Sequence, residues 1–319
     1  MRFPQGASLD VPLRAKTQSV MAAIAPGRLV VGTIALVLAA SFADGLPAQA
    51  GQASNLAPID SENLFGFITG TDVGEAGEKE LESETTGRLG RRTGTYAALA
   101  QSLGLEYSPN DRTRLEPTVI LGAHDISGVA GLDDVRQGGF QGLSFEMRYK
   151  LLDRHEDGIG LALRAEPEWS RIDETTGQTA DQYGSDLVLL IDKELVPDRI
   201  IAAFNLLYAP QATRAGTTGA WSHDATLGVG AGLMTQAWRN FFVGGELRYL
   251  RAYDSLGVAD FAGDAVFLGP TLFFKPSEAL RITAAWSMQV AGKAAHALGA
   301  LDLADFERHQ VRLRIAYEF

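Results

Sequence analysis

The sequence predicts an all-β fold, a transmembrane antiparallel up-and-down barrel of about twelve strands that follows an N-terminal signal peptide. Three observations predict it. Successive ribbons alternate apolar and polar residues with a period of two, tight turns alternate with longer links, and the chain ends in mid-alternation with "VRLRIAYEF", residues 311–319. A strand sends consecutive side chains to opposite faces. Val311, Leu313, Ile315, Tyr317 and Phe319 therefore share one face, while Arg312, Arg314 and Glu318 share the other.

The first element is the leader. "LVVGTIALVLAASFA", residues 29–43, follows Arg28 and precedes "AQA" at 48–50. A short apolar core behind a basic residue and before small residues reads as a cleavable signal peptide over residues 1–50, with Met21 as an alternative start. Asp44 ends the run before the roughly 20 apolar residues that a spanning helix needs. Cleavage removes four basic and two acidic residues, which takes the net charge from −11 to −13. Such a charge argues against nucleic acid as a partner. The chain has no cysteine, which excludes disulfides, thiolate metal sites and cysteine nucleophiles. Mean hydropathy is zero, as expected where lipid-facing and lumen-facing residues average out.

Residues 51–75 read as a periplasmic or plug-like lead-in, and residues 76–319 as the barrel. Strands are expected near 79–90, 95–108, 112–126, 138–152, 157–171, 183–195, 198–212, 221–236, 240–254, 262–276, 279–292 and 306–319. Within 143–151, Leu143, Phe145, Met147, Tyr149 and Leu151 oppose Ser144, Glu146, Arg148 and Lys150. Within 280–290, Leu280, Ile282, Ala284, Trp286, Met288 and Val290 oppose Arg281, Thr283, Ser287 and Gln289. A helix requires apolar residues three and four apart, which these windows lack. No helix is predicted in the barrel.

"SPND" (108–111), "DRHED" (153–157), "VPD" (196–198), "AWRN" (237–240) and "PSEA" (276–279) are tight turns. Longer links fall between them, notably 127–139, 173–182, 213–219 and 291–305. Outer-membrane barrels sort their connections in this way, with short periplasmic turns and longer external loops. Pro117, Pro167, Pro210 and Pro270 fall in or near strands and are expected at bulges or strand ends, since each lacks a ladder donor.

The terminal strand resembles the closing strand of bacterial outer-membrane β-barrels, and the resemblance implies that Tyr317 and Phe319 serve as an assembly signal. The stretches "GFITGTDVGEAGEKE", "WSRIDETTG", "DKELVPDR" and "FERHQVRLRIAYEF" are similar to alphaproteobacterial outer-membrane proteins of unassigned activity. This resemblance implies a porin-like shape, location in the outer membrane of a Gram-negative bacterium, and the β-barrel assembly machinery, lipid and lipopolysaccharide as partners. It implies no reaction.

The expected inner face carries both signs of charge: Glu80, Glu82, Glu84, Arg88, Arg114, Glu116, Glu146, Arg148, Lys150, Arg164, Glu166, Glu168, Asp192, Glu246, Arg248, Arg281, Arg312 and Arg314, with Asp186, Glu194 and Glu318. A lumen of this kind suits passive passage of small solutes. The alternative is a surface barrel whose lumen is closed by salt bridges, since a modest barrel has limited room. A lipid hydrolase would need a serine activated by an oriented histidine; His124 with Ser127, Ser222 with His223 and Asp224, and His309 are the candidates. No enzymatic activity, cofactor or metal is expected. The five histidines are dispersed, and "GEAGEKELESE" lacks the ordered oxygen pattern of a calcium loop. Trp169, Trp221, Trp238, Trp286, Tyr149, Tyr208, Tyr249, Tyr253 and Phe241 are expected in interfacial girdles.

Overall fold

A computed structural model of the chain describes residues 58–319. The expected signal peptide and the first residues of the lead-in, 51–57, lie outside the described residues. Twelve strands follow one another: β1 (Lys79–Leu89), β2 (Thr95–Asn110), β3 (Thr113–Ser127), β4 (Val135–Leu152), β5 (Gly160–Ile172), β6 (Thr179–Val196), β7 (Ile200–Ala215), β8 (Trp221–Trp238), β9 (Phe241–Tyr253), β10 (Phe261–Ser277), β11 (Leu280–Ala294) and β12 (His309–Glu318). Each pairs antiparallel with the next, and β1 pairs with β12, so the sheet closes into a barrel. The seam runs from Glu80 opposite Glu318 to Leu89 opposite His309. Beyond it, the Phe319 amide donates to the Lys79 carbonyl at 3.1 Å. Closure leaves no free edge, which a barrel in lipid requires.

The strand calculation from alternation is accurate to a few residues, with two corrections. The β4–β5 connection contains a helical turn, α1 (Arg154–Asp157), capped by the Asp153 side chain and ended by Gly158 at φ 74°. A tight-turn reading of "DRHED" misses it because Asp at an N-cap and Asp in a turn look alike in sequence. The second correction concerns proline. Pro117, Pro167, Pro210 and Pro270 sit inside β3, β5, β7 and β10, away from bulges. On one side each is in continuous register, opposite Phe145, Ser185, Ala225 and Gly245 respectively. On the other side each ladder has a gap at the proline: towards β2, β4, β6 and β11. The missing N–H thus falls where one neighbour is locally unpaired, and the strand continues.

Apolar residues of the alternating sets face outwards and are exposed, including Leu143, Phe145, Met147, Leu163, Leu313 and Ile315. They form the belt that hydrocarbon covers. Aromatic pairs flank it: Phe140 on Trp169 (6.2 Å), Tyr183 on Trp221 (6.3 Å) and Trp238 on Phe241 (5.5 Å). Two of the expected girdle residues behave differently. Trp286 lies mid-strand and stacks on His309 at 5.8 Å, and Tyr253 is buried beneath Arg251.

Candidate functional site

The inner wall has two unlike halves. Strands β12 and β1 to β5 bring in most of the charge, while β7 carries none on its inner face and β8 none below Asp224. Ile201, Ala203 and Met234 line this apolar half with Phe242 and Phe273. It needs an apolar partner, and the lead-in supplies one.

Residues 58–78 enter from the short-turn rim, rise into the lumen, turn at 66–68 and return. At the base, the Ser61 amide donates to the Asp72 carboxylate (2.8 Å) and the Asp72 amide to the Ser61 hydroxyl (3.3 Å), so the two limbs are tied together. Ile59, Leu64, Phe65 and Ile68 pack against the apolar wall. Glycines make the room: a Cβ on Gly232 would stand 2.8 Å from the Phe65 ring, and one on Gly66 would collide with Ala285.

Polar groups of the segment meet matched wall groups. Glu246, mid-strand in β9, accepts from the amides of Gly66 (2.6 Å), Phe67 (2.7 Å) and Ile68 (2.9 Å), and from the Thr271 hydroxyl (2.7 Å). Asn205 pairs with both backbone groups of Thr69, at 2.7 and 2.8 Å. Asp192 accepts from the Thr71 amide (2.8 Å) and the Ser61 hydroxyl (2.7 Å). Arg154 of α1 joins Asp72 (2.7 Å), Asp192 (3.1 Å) and Glu194 (3.2 Å) and donates to the Ile59 carbonyl at 2.7 Å. Arg148 donates to the Asp72 carbonyl at 3.1 Å, and Arg312 to that of Gly66 at 3.1 Å. The Phe67 ring lies under two guanidiniums, Arg248 at 4.0 Å and Arg312 at 4.9 Å. The barrel therefore meets much of the segment's backbone hydrogen-bonding need.

The remaining charged residues form networks. Arg114 contacts Glu62 (3.4 Å), Glu106, Glu116 (2.7 Å) and Glu146 (3.6 Å). Arg281 contacts Glu80, Glu318 (3.1 Å), Asp60 (3.6 Å) and Glu78 (3.7 Å). Arg314 joins Glu82 (3.2 Å) and Glu84 (2.6 Å), Arg312 joins Glu84 (3.1 Å), and Arg148 joins Glu146 (2.9 Å). Arg164 reaches Asp186 (3.2 Å), Glu146 (3.6 Å) and Glu166 (3.7 Å). Lys150 turns to the rim and pairs with Asp153 at 2.7 Å. Arg248 donates to the Gln310 side chain. Tyr317 and Phe319 are on the outside, exposed.

Burial pushes Glu62 up to about 8, with Asp60 and Glu80 adding to the rise and Arg114 opposing it. At the far rim the loop 173–178 folds inwards. There Arg88 pairs with Glu174 at 2.7 Å and holds its carboxyl below the usual range, and Glu168 lies beside it. The link 295–308 also turns in, with Phe306 on Phe267 at 6.3 Å.

The serine and histidine candidates are not brought together. His124 Nε2 meets the Glu174 carbonyl at 3.0 Å, His223 stacks on Trp221, and His309 stacks on Trp286. Ser222 donates to the Thr213 carbonyl at 3.5 Å. Among the described residues no serine hydroxyl is hydrogen-bonded to a histidine.

A family model matches residues 57–319, which takes in the segment and all twelve strands. The chain belongs to DUF6662, a family of unknown function. No curated protein matches the sequence. Among solved structures, an outer membrane channel from Pseudomonas putida F1 is similar at a TM-score of 0.54 and 12% identity, over 78% of this chain and 98% of that one. The NanC porin is similar at 0.45 and 9% identity, over 75% and 100% of the two chains. The beta domain of the Bordetella autotransporter BrkA is similar at 0.46 and 17%, over 77% and 100%. The first of these likenesses shows the fold, that of an outer-membrane β-barrel.

Proposed function

We propose that the protein resides in the outer membrane of a Gram-negative bacterium as a porin-like channel for small solutes, closed at its short-turn end by its own residues 58–78. The observation that carries this reading is a change of wetness along the lumen. Beside the segment, Glu80, Arg114, Glu106 and Asp192 are buried. Between the tip of the segment and the far-rim loops, side chains keep contact with solvent: Asp186 at 45%, Arg88 at 36%, Glu166 at 28%. Charged groups are left hydrated only where water reaches them, since burial without full pairing is costly. Accessible charge above a docked loop fits a conduit closed at one end. A permanently sealed surface barrel has no need to leave charge accessible there, and a lipid hydrolase needs a serine–histidine contact.

Planar-bilayer recording of the refolded chain tests the reading. The intact protein is expected to hold a mostly closed baseline, and a chain lacking residues 58–78 to show conductance steps. A folded deletion variant that stays sealed would reject the channel and leave the surface-barrel reading.

A further inference from the structure

One group of side chains is not explained by conduction or by docking alone. The register sets Glu80 of β1 directly opposite Glu106 of β2, with Glu82 two residues along on the same inner face. One carboxylate oxygen from each lies within 4.8 Å of the other two. All three side chains are buried. Like charges opposed across a strand pair repel, and burial removes the water that would screen them.

The nearby arginines do not balance the group. Arg114, Arg281 and Arg314 each touch one of the three carboxylates, but between them they contact ten: Asp60, Glu62, Glu78, Glu80, Glu82, Glu84, Glu106, Glu116, Glu146 and Glu318, of which only Glu84 and Glu146 have further arginines, Arg312 for the first and Arg148 and Arg164 for the second. A second observation comes from the docked segment. Asn63 is buried, and its Nδ2 donates to Glu80 Oε1 at 2.7 Å. Its Oδ1 has no donor. The hydrogen bond holds the amide head at Glu80, so the unpartnered carbonyl oxygen of the same amide lies next to that carboxylate.

We propose that Glu80, Glu82, Glu106 and the Asn63 carbonyl bind one divalent cation of the calcium class, which ties segment 58–78 to the barrel wall. The donors are all oxygen, the choice of a hard cation and not of zinc or copper. Oxygens that share a calcium at about 2.3–2.6 Å lie up to about 5 Å apart, which matches the spacing here. Burial favours calcium over magnesium, because magnesium surrenders its waters reluctantly. Arg114 keeps Glu116 and Glu146 if it yields Glu106 to the ion. The site depends on the docked segment and not on conduction.

The test is equilibrium dialysis of the full chain, refolded in detergent and stripped with chelator, against radioactive calcium chloride. One calcium per chain is expected below about 1 mM free ion, the weak end for extracellular calcium sites. Magnesium is expected to compete at least about tenfold less well. Glu106→Gln is expected to weaken uptake at least about tenfold, and Asn63→Ala by a smaller factor, each with heat-modifiable migration retained. If Glu106→Gln does not fold, Glu82→Gln takes its place. Absence of uptake by the wild type, or affinity unchanged in the glutamine variant, overturns the proposal.

Discussion

Glu246→Gln is the sharpest probe of the closed lumen. The carboxylate holds three consecutive amides at the tip of the segment and the Thr271 hydroxyl. Hydrogen bonds to a charged partner contribute about 1.5–3 kcal/mol each. Glutamine has nearly the same shape but one acceptor oxygen, and its amide group faces N–H groups that it cannot satisfy. Losing the charge and leaving at least one buried amide unpaired costs about 3–5 kcal/mol of docking. At about 1.4 kcal/mol per tenfold, the docked-to-undocked ratio falls by about 10²–10⁴. Two assays read this. Bilayer recordings should show conductance steps that the wild type lacks, and chymotrypsin should cut at Phe65 or Phe67. A glutamine variant that migrates as a folded barrel yet keeps the sealed baseline and full protection of those bonds would refute the reasoning.

Four further outcomes are expected. Arg154→Met leaves Asp192 and Asp72 buried without their cation and should lower stability by about 3–5 kcal/mol, read by the temperature at which the heat-modifiable band is lost. Gly66→Val drives a side chain into Ala285 and should expel the tip, so that the variant is cut by chymotrypsin while the barrel stays folded. For pH, burial raises Glu62 to about 8 when docked, above its ordinary value, so the docked state prefers the protonated form. Its contribution is fully present below pH about 4.5 and is lost as pH rises through about 8. Protease protection of the segment should therefore fall over that window, and Glu62→Gln should flatten the dependence. Leu143→Arg places a cation on the apolar belt and should cost about 2–4 kcal/mol, measured as refolding yield into vesicles against the wild type.

The strands were legible because a half-lipid, half-lumen ribbon forces a period of two, and the sequence keeps it in most strands, as in 143–151, 280–290 and 311–319. Strand ends were less legible where β4 and β6 run past the apolar belt into polar residues such as Arg136 and Asp181. The inner face was legible as alternation but not as a site. Nothing in "IIAAFNLLYAP" or "ATLGVGAGLM" states that an apolar inner face exists, because both faces of those strands are apolar. The partner was visible in hindsight as "NLFGFI", which no exposed lead-in would carry without cover. Arg154, Asp72, Asn205 and Asn63 gave no sequence signal, since their roles depend on which wall group the folded segment meets, such as Asn205 with Thr69, or on a short helix hidden in a turn.

The two limbs of segment 58–78 are joined at Ser61 and Asp72 and both open towards the same rim. A stopper built as a doubled-back loop is not threaded through the barrel. It can leave and return by the way it came, without parting any of the twelve seams. In the channel proposed above, opening would be a matter of unmaking side-chain and backbone contacts one limb at a time, with the surrounding cylinder keeping its shape throughout.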